Sequence, residues 1–125
     1  MSTSRPEPTT KARGDAAEER ALAHLLDSGL KLVTRNYRTP GRGGGEIDLI
    51  LRDADGTLVF VEVRERRAGT HGGAGASIGA TKQRRIVFAA QHYLMRLKPW
   101  PPCRFDVVLI DGPTLQWLPG AFDAS

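Results

Sequence analysis

The segment from Glu46 to Arg52, EIDLILR, is followed after Asp53-Ala54-Asp55-Gly56 by Thr57 to Arg64, TLVFVEVR. Both runs are short and rich in branched apolar residues, and an Asp-Gly pair lies between them, which is the pattern of a β-hairpin. A three-residue loop Ala54-Asp55-Gly56, with Gly56 in the left-handed position, pairs Asp53 with Thr57. Residue numbers of facing positions then sum to 110, and Asp48 falls opposite Glu62. Residues paired in an antiparallel ladder share a face, with Cβ atoms about 4.5–5.5 Å apart. Arg64, two residues beyond Glu62, shares that face.

Two carboxylates so placed repel each other unless a cation answers them. A divalent ion with oxygen ligands is one occupant. The other reading is a surface ion pair of Glu62 with Arg64 beside a solvated Asp48. The register alone leaves both open.

Working outward, Arg13 to Ser28 reads as a helix, with Ala17, Ala21, Leu22, Leu25 and Leu26 in one stripe and Gly29 as its stop. Leu30 to Tyr37 reads as a strand, and Thr39 to Gly45 (TPGRGGG) as a glycine loop around Arg42. Residues 67 to 79, with five glycines, read as a flexible loop. Thr81 to Lys98 reads as a second helix, with Ile86, Ala90, Tyr93, Leu94 and Leu97 on its apolar side and prolines beyond. Arg104 to Asp111 and Thr114 to Leu118 read as the last strands, joined at Asp111-Gly112-Pro113. The order αβββαββ implies an α/β or α+β fold with helices flanking a mixed central sheet. Residues 1–12, with Pro6 and Pro8 and no apolar period, read as a disordered tail, and 13–125 as a single domain.

At 125 residues the chain suits one domain with a real core. The lone Cys103 excludes a disulfide framework and a cysteine-rich zinc site. Apolar runs are too short to span a membrane, and the N-terminus lacks a secretory h-region, so the expected compartment is the cytoplasm. The net charge of +4 is uneven: Arg64 to Arg85 holds six Lys and Arg and one Glu, which makes that segment +5 and the remainder −1. Such a cluster is either the footprint of a polyanion, most often nucleic acid, or a solvated basic face.

Helical geometry adds a third acid. At about 100° per residue, Glu18 lies roughly 20° from the centre of the first helix's apolar stripe. It points inward, where a lone acid is costly without a partner; the alternative is a wet complement to the helix dipole. Near the start of the second helix, Lys82 and Gln83 are expected toward its apolar side and Arg84 and Arg85 outward. Cations at a positive helix end make sense if phosphate docks there, or are a mild cost on an exposed turn. His24, His71 and His92 share no ligand spacing, and Cys103 has no evident histidine partner. Trp100 and Trp117 read as packing residues. The glycines from Gly41 to Gly45 lack a P-loop lysine, and their expected use is to bring backbone close to phosphate beside Asp48.

Five motifs now stand in order: G-x-x-x-E (Gly14 to Glu18), G-E-I-D-L-I (Gly45 to Ile50), V-F-V-E-V-R-x-R (Val59 to Arg66), K-Q-R-R (Lys82 to Arg85) and R-F-D-V (Arg104 to Val107). Across nearly the whole chain after the tail, this pattern resembles the YraN-like family of small bacterial proteins. That family is regarded as similar to archaeal Holliday-junction resolvases, with the restriction-endonuclease-like core of PD-(D/E)xK nucleases. The resemblance implies a DNA endonuclease acting on branched or structured DNA, with Mg²⁺ (or Mn²⁺) as cofactor and a homodimer for symmetric cutting. By position it carries the metal-binding acids onto Glu18, Asp48 and Glu62. In the resembled mechanism the metal acidifies a water that attacks the phosphodiester in line. The motif lysine is Arg64 here, and a guanidinium stabilises charge but does not accept a proton. Lys82 is the candidate substitute, and Arg42, Arg66, Arg67, Gln83, Arg84 and Arg85 are the candidate DNA contacts. The alternatives are a non-catalytic nucleic-acid-binding module on the same fold, or a small basic protein-interaction factor.

Overall fold

The computed structural model describes residues 10–66 and 78–124. Seven elements follow in the expected αβββαββ order: α1 (Thr10–Asp27), β1 (Lys31–Arg38), β2 (Glu46–Arg52), β3 (Leu58–Arg66), α2 (Ala80–Leu94), β4 (Cys103–Asp111) and β5 (Thr114–Phe122). The strands form one sheet in the order β1-β2-β3-β4-β5, antiparallel except for the parallel β3–β4 pair. A parallel pair needs a crossover, and α2 supplies it. The fold is a mixed α+β arrangement of two helices and a five-stranded mixed sheet.

The core has two parts. Ala17, Ala21, Leu22 and Leu25 of α1 pack on Leu49, Leu51, Val59, Val61, Val108 and Ile110. Ile86, Ala89, Ala90 and Leu94 of α2 pack with Ile50, Leu58, Phe60, Phe105 and Val107. Central strands covered on both faces read as continuous apolar runs, and LVFV from Leu58 to Val61 is wholly buried for that reason.

Several boundaries differ from the sequence expectation. Helix α1 starts at Thr10, three residues before Arg13, and the rest of the expected tail, residues 1–9, lies outside the described residues, as does most of the glycine loop. Leu26 is 44% exposed and leaves the α1 stripe, and Trp100, at 62%, is no packing residue. Helix α2 ends at Leu94 rather than Lys98, because the chain tightens there: Leu97 N–H donates to Leu94 O at 2.9 Å. Leu97 still packs on the α2 cluster, so the apolar pattern outlasts the helix. Strand β5 runs on to Phe122 past Pro119-Gly120, with Gly120 at a φ of 60° and a register shift between Phe105 and Val107 on β4.

Candidate active site

The turn sets the site. Asp53 N–H donates to Thr57 O and Gly56 N–H to Asp53 O, both at 2.9 Å, with Gly56 at a φ of 91°. The β2–β3 pairs from Arg52↔Leu58 to Leu49↔Val61 keep the sum of 110. Beyond Leu49 the ladder gives way to side chains: Asp48 Oδ2 accepts the Val63 N–H at 2.9 Å, and Asp48 and Glu62 are near enough for each to shift the other's acidity. Glu62 is only 7% exposed, and Lys82 Nζ, brought by the first turn of α2, lies 3.5 Å from its Oε1.

Two carboxyls this near each other are costly to ionise together. Burial first, and then the Asp48 charge, push Glu62 up to about 8 against the pull of Lys82. Asp48 is also raised, chiefly by burial, while the Val63 N–H and the Glu62 hydrogen bond draw it down. The pair therefore holds on to a proton above the usual carboxylate range. Glu18, across on α1, is pushed up to about 7 by burial and by Asp48, and Arg35 pulls it the other way. Its Oε1 is buried without a hydrogen-bond partner, and Arg35 Nη2 stands 4.0 Å from it.

The expected three-acid cluster is not closed. Among the described residues no three His, Cys, Asp or Glu side chains converge as a metal cage. Glu18 comes from the opposite helix layer and leans on Arg35, so it acts on Asp48 as a charge rather than as a neighbouring ligand. The Asp48–Glu62 pair still fits a divalent ion. It concentrates oxygen donors, and without an ion it must hold a proton above the usual carboxylate range. Glu46 and Arg35 also belong to this field, since both act on the acids, and sequence reasoning passed them over. Glu46 was findable: it lies two residues before Asp48 on the same strand.

An open cleft of about 520 Å³ begins at Glu62 and is lined also by Arg64, Thr81, Lys82 and Arg85. Arg85 is exposed, as expected, and lines this cleft beside Lys82, three residues before it on α2. Gln83 turns away. Its Nε2 donates to Ile78 O at 2.8 Å, and with Arg84 it lines a separate groove beside Val87, Phe88 and Gln91. Arg66 sits 4.0 Å from Asp111, and Arg67 lies outside the described residues. The Arg42 loop is clipped shut by Thr39, whose N–H donates to Gly45 O at 3.0 Å and whose Oγ1 accepts the Gly45 N–H at 2.7 Å. A Cβ on Gly45 would stand 1.9 Å from the Arg85 carbonyl oxygen, so only glycine lets this loop pack against α2.

Comparison with known proteins gives one family. The model of a family described as "Uncharacterised protein family UPF0102" matches residues 17–110. The chain is 72% identical over 122 residues to the UPF0102 protein of Acidovorax sp. (strain JS42), covering 98% of this chain and 92% of that one. It is 64% identical over 126 residues to that of Polaromonas naphthalenivorans (strain CJ2), covering 94% and 82%. A solved structure described as "Crystal structure of SSO0001" is similar with a TM-score of 0.44 and 14% identity, over 92% of this chain and 54% of that one.

Proposed function

The chain belongs to the uncharacterised protein family UPF0102, the YraN-like family, and from the site it carries we propose that it is a metal-dependent endonuclease of branched or otherwise structured DNA, on a restriction-endonuclease-like core. The observation that carries this reading is buried Glu62 beside half-buried Asp48, with Lys82 Nζ 3.5 Å from Glu62, at a cleft that Arg64, Lys82 and Arg85 also line.

Asp48 and Glu62 are the residues that would hold Mg²⁺ or Mn²⁺, with Glu18 adding negative charge from the α1 side. When bound, such an ion supplies Lewis-acid charge that activates water and offsets charge on phosphate. Holding an ion there would require both carboxylates to be ionised, so Glu62 would give up its proton. Arg64 and Arg85 face the cleft as phosphate-binding charges, and Arg64 carries no acid–base role. Lys82 moves a proton at Nζ. Arg42, on its clipped loop beside α2, extends the phosphate-binding surface, with Arg66 and Arg84 farther out. Symmetric cutting of a junction requires two copies of the chain.

The second reading, a binding module that does not cut, is favoured by one feature: arginine in place of the motif lysine. Purified protein incubated with branched, single-stranded and duplex DNA, with Mg²⁺, Mn²⁺ or chelator, separates the two. Metal-dependent cleavage is expected, kept or raised by Arg64→Lys and lowered by Lys82→Ala on the order of 100-fold. If wild type and Arg64→Lys both bind DNA and cut none of it with either metal, the binding module replaces the nuclease.

A further inference from the structure

A β-strand sends alternate side chains to opposite faces, so residues two apart share a face. Strands β1 and β2 break this rule at one shared point. In β1, the Arg35 guanidinium reaches Glu18 and Glu19 of α1, yet Tyr37, two residues on, packs in the α2 cluster and hydrogen-bonds His92. In β2, Leu49 belongs to the α1 cluster and Ile47 to the α2 cluster. The pairs Arg35↔Leu49 and Tyr37↔Ile47 flank this point, so Asn36 lies opposite Asp48. Asn36 has a φ of 51°, and among the described residues every other positive φ belongs to glycine.

Left-handed backbone costs most residues stability, and asparagine is among the few that tolerate it. A single left-handed residue inside a strand rotates the chain that follows, which is what exchanges the faces of Arg35 and Tyr37. The partner strand follows through its ladder, and Asp48 is left between the two faces rather than on either. This explains how one carboxylate meets both helix layers: Glu18 of α1 from one side, Glu62 and the α2 lysine from the other.

We infer that Asn36 is a positioning residue, whose left-handed backbone turns β1 and β2 together so that Asp48 stands at the boundary of the two layers with its Oδ2 on the Val63 N–H. Any bearing on metal rests on the endonuclease reading; the hydrogen bond does not. Arg35 and Tyr37 cannot both reach their partners from a regular strand, so the surrounding contacts hold Asn36 in place.

The test compares Asn36→Gly, which keeps the left-handed backbone accessible, with Asn36→Ala, which does not. Two quantities are read on the full chain: amide exchange at Val63 in metal-free protein, and Mn²⁺ affinity by calorimetry. Asn36→Ala should exchange the Val63 amide roughly tenfold faster and bind Mn²⁺ roughly tenfold more weakly, with amides of the Val59–Val61 core unchanged. Asn36→Gly should stay near wild type in both. A folded Asn36→Ala with wild-type Val63 exchange overturns the inference. Should Asn36→Ala fail to fold, Asn36→Gly decides: wild-type Val63 protection supports the backbone role, and its loss overturns it. If wild type binds no Mn²⁺, the endonuclease reading fails while the Val63 measurement still decides the role of Asn36.

Discussion

Asp106 on β4 and Glu62 on β3, with half-buried Asp48 of β2 beside it, are carboxylates of one sheet, and they are treated in opposite ways. Asp106, at 0% exposure, is met by Arg104 Nε at 3.1 and 3.2 Å on its two oxygens, by Trp117 Nε1 at 2.9 Å and by the Gly120 N–H at 2.9 Å. The same arginine reaches Asp53 at 2.8 Å and holds that carboxyl below its usual range. Charge and hydrogen-bond capacity are answered from within. At Asp48 and Glu62 the contacts include one backbone N–H and one half-exposed lysine, and burial pushes Glu62 up. Asp106 with its guanidinium is a fastening between strands; the Asp48–Glu62 pair, reached by a half-exposed lysine, is where a cation from outside would sit on the endonuclease reading.

The largest effect expected from this contrast is on stability. Asp106→Ala removes four charge-assisted hydrogen bonds from a fully buried site, leaving Arg104 to Asp53 and taking the shared acceptor from Trp117 and Gly120, and should cost about 3–5 kcal/mol in urea denaturation, with or without divalent ion. Glu62→Gln removes an unanswered acid and should leave ion-free stability at pH 8 unchanged or higher. Equal losses in the two variants would erase the distinction. Adding ion should separate the sites again: Mg²⁺ or Mn²⁺ at a hundredfold over Kd should stabilise wild type by about 2.7 kcal/mol through linkage. Glu62→Ala should gain little, and Glu62→Ala responding as wild type would place the ion elsewhere.

The pH dependence is smaller and has a definite sign. Glu62 is raised from 4.5 to about 8 by burial and by Asp48, so between those values the folded chain keeps a proton that the unfolded chain has lost. Stability then falls as pH rises from about 5 to about 8, by on the order of 2 kcal/mol because the proton is shared with Asp48. The slope should weaken in Glu62→Gln, and chemical denaturation across this range checks it. A rise in wild-type stability over the same interval would mean that the pair is ionised and already answered.

How much of this contrast was legible depends on what turn chemistry and periodicity encode. The Gly56 turn fixed the β2–β3 register from Arg52↔Leu58 to Leu49↔Val61, which brings Asp48 to the end of the ladder near Glu62. Helical phase likewise found Glu18 and Lys82. What escaped were departures from periodicity. Leu97 kept the apolar spacing after α2 had tightened into a turn, and Pro119-Gly120 looked like a strand end although Gly120 only bulges β5. Nothing in the sequence period announces the left-handed Asn36, so the face exchange beside Asp48 was not readable. The Asp106 fastening went unseen because its donors arrive from β5, beyond where that strand was expected to end.

The smallest effect concerns which cations are already committed. Arg104 is held by Asp53 and Asp106, whereas Arg85 lines the cleft beside Glu62, and Arg84, with Nη2 3.2 Å from Thr81 Oγ1, lines the other groove. Neutralising one phosphate-binding charge should flatten the dependence of log affinity on log salt by roughly 0.9 on duplex DNA. If DNA follows the acid pair, Arg85→Gln should flatten the slope by about that amount and Arg84→Gln by clearly less, with the double variant flattening it by at most roughly two. Titration of labelled branched and duplex DNA at several salt concentrations reads this directly. The reverse ranking would carry the DNA path across α2 to the groove of Phe88 and Gln91. The open acid pair would then face away from the bound backbone, and its cation would have no phosphate to act on.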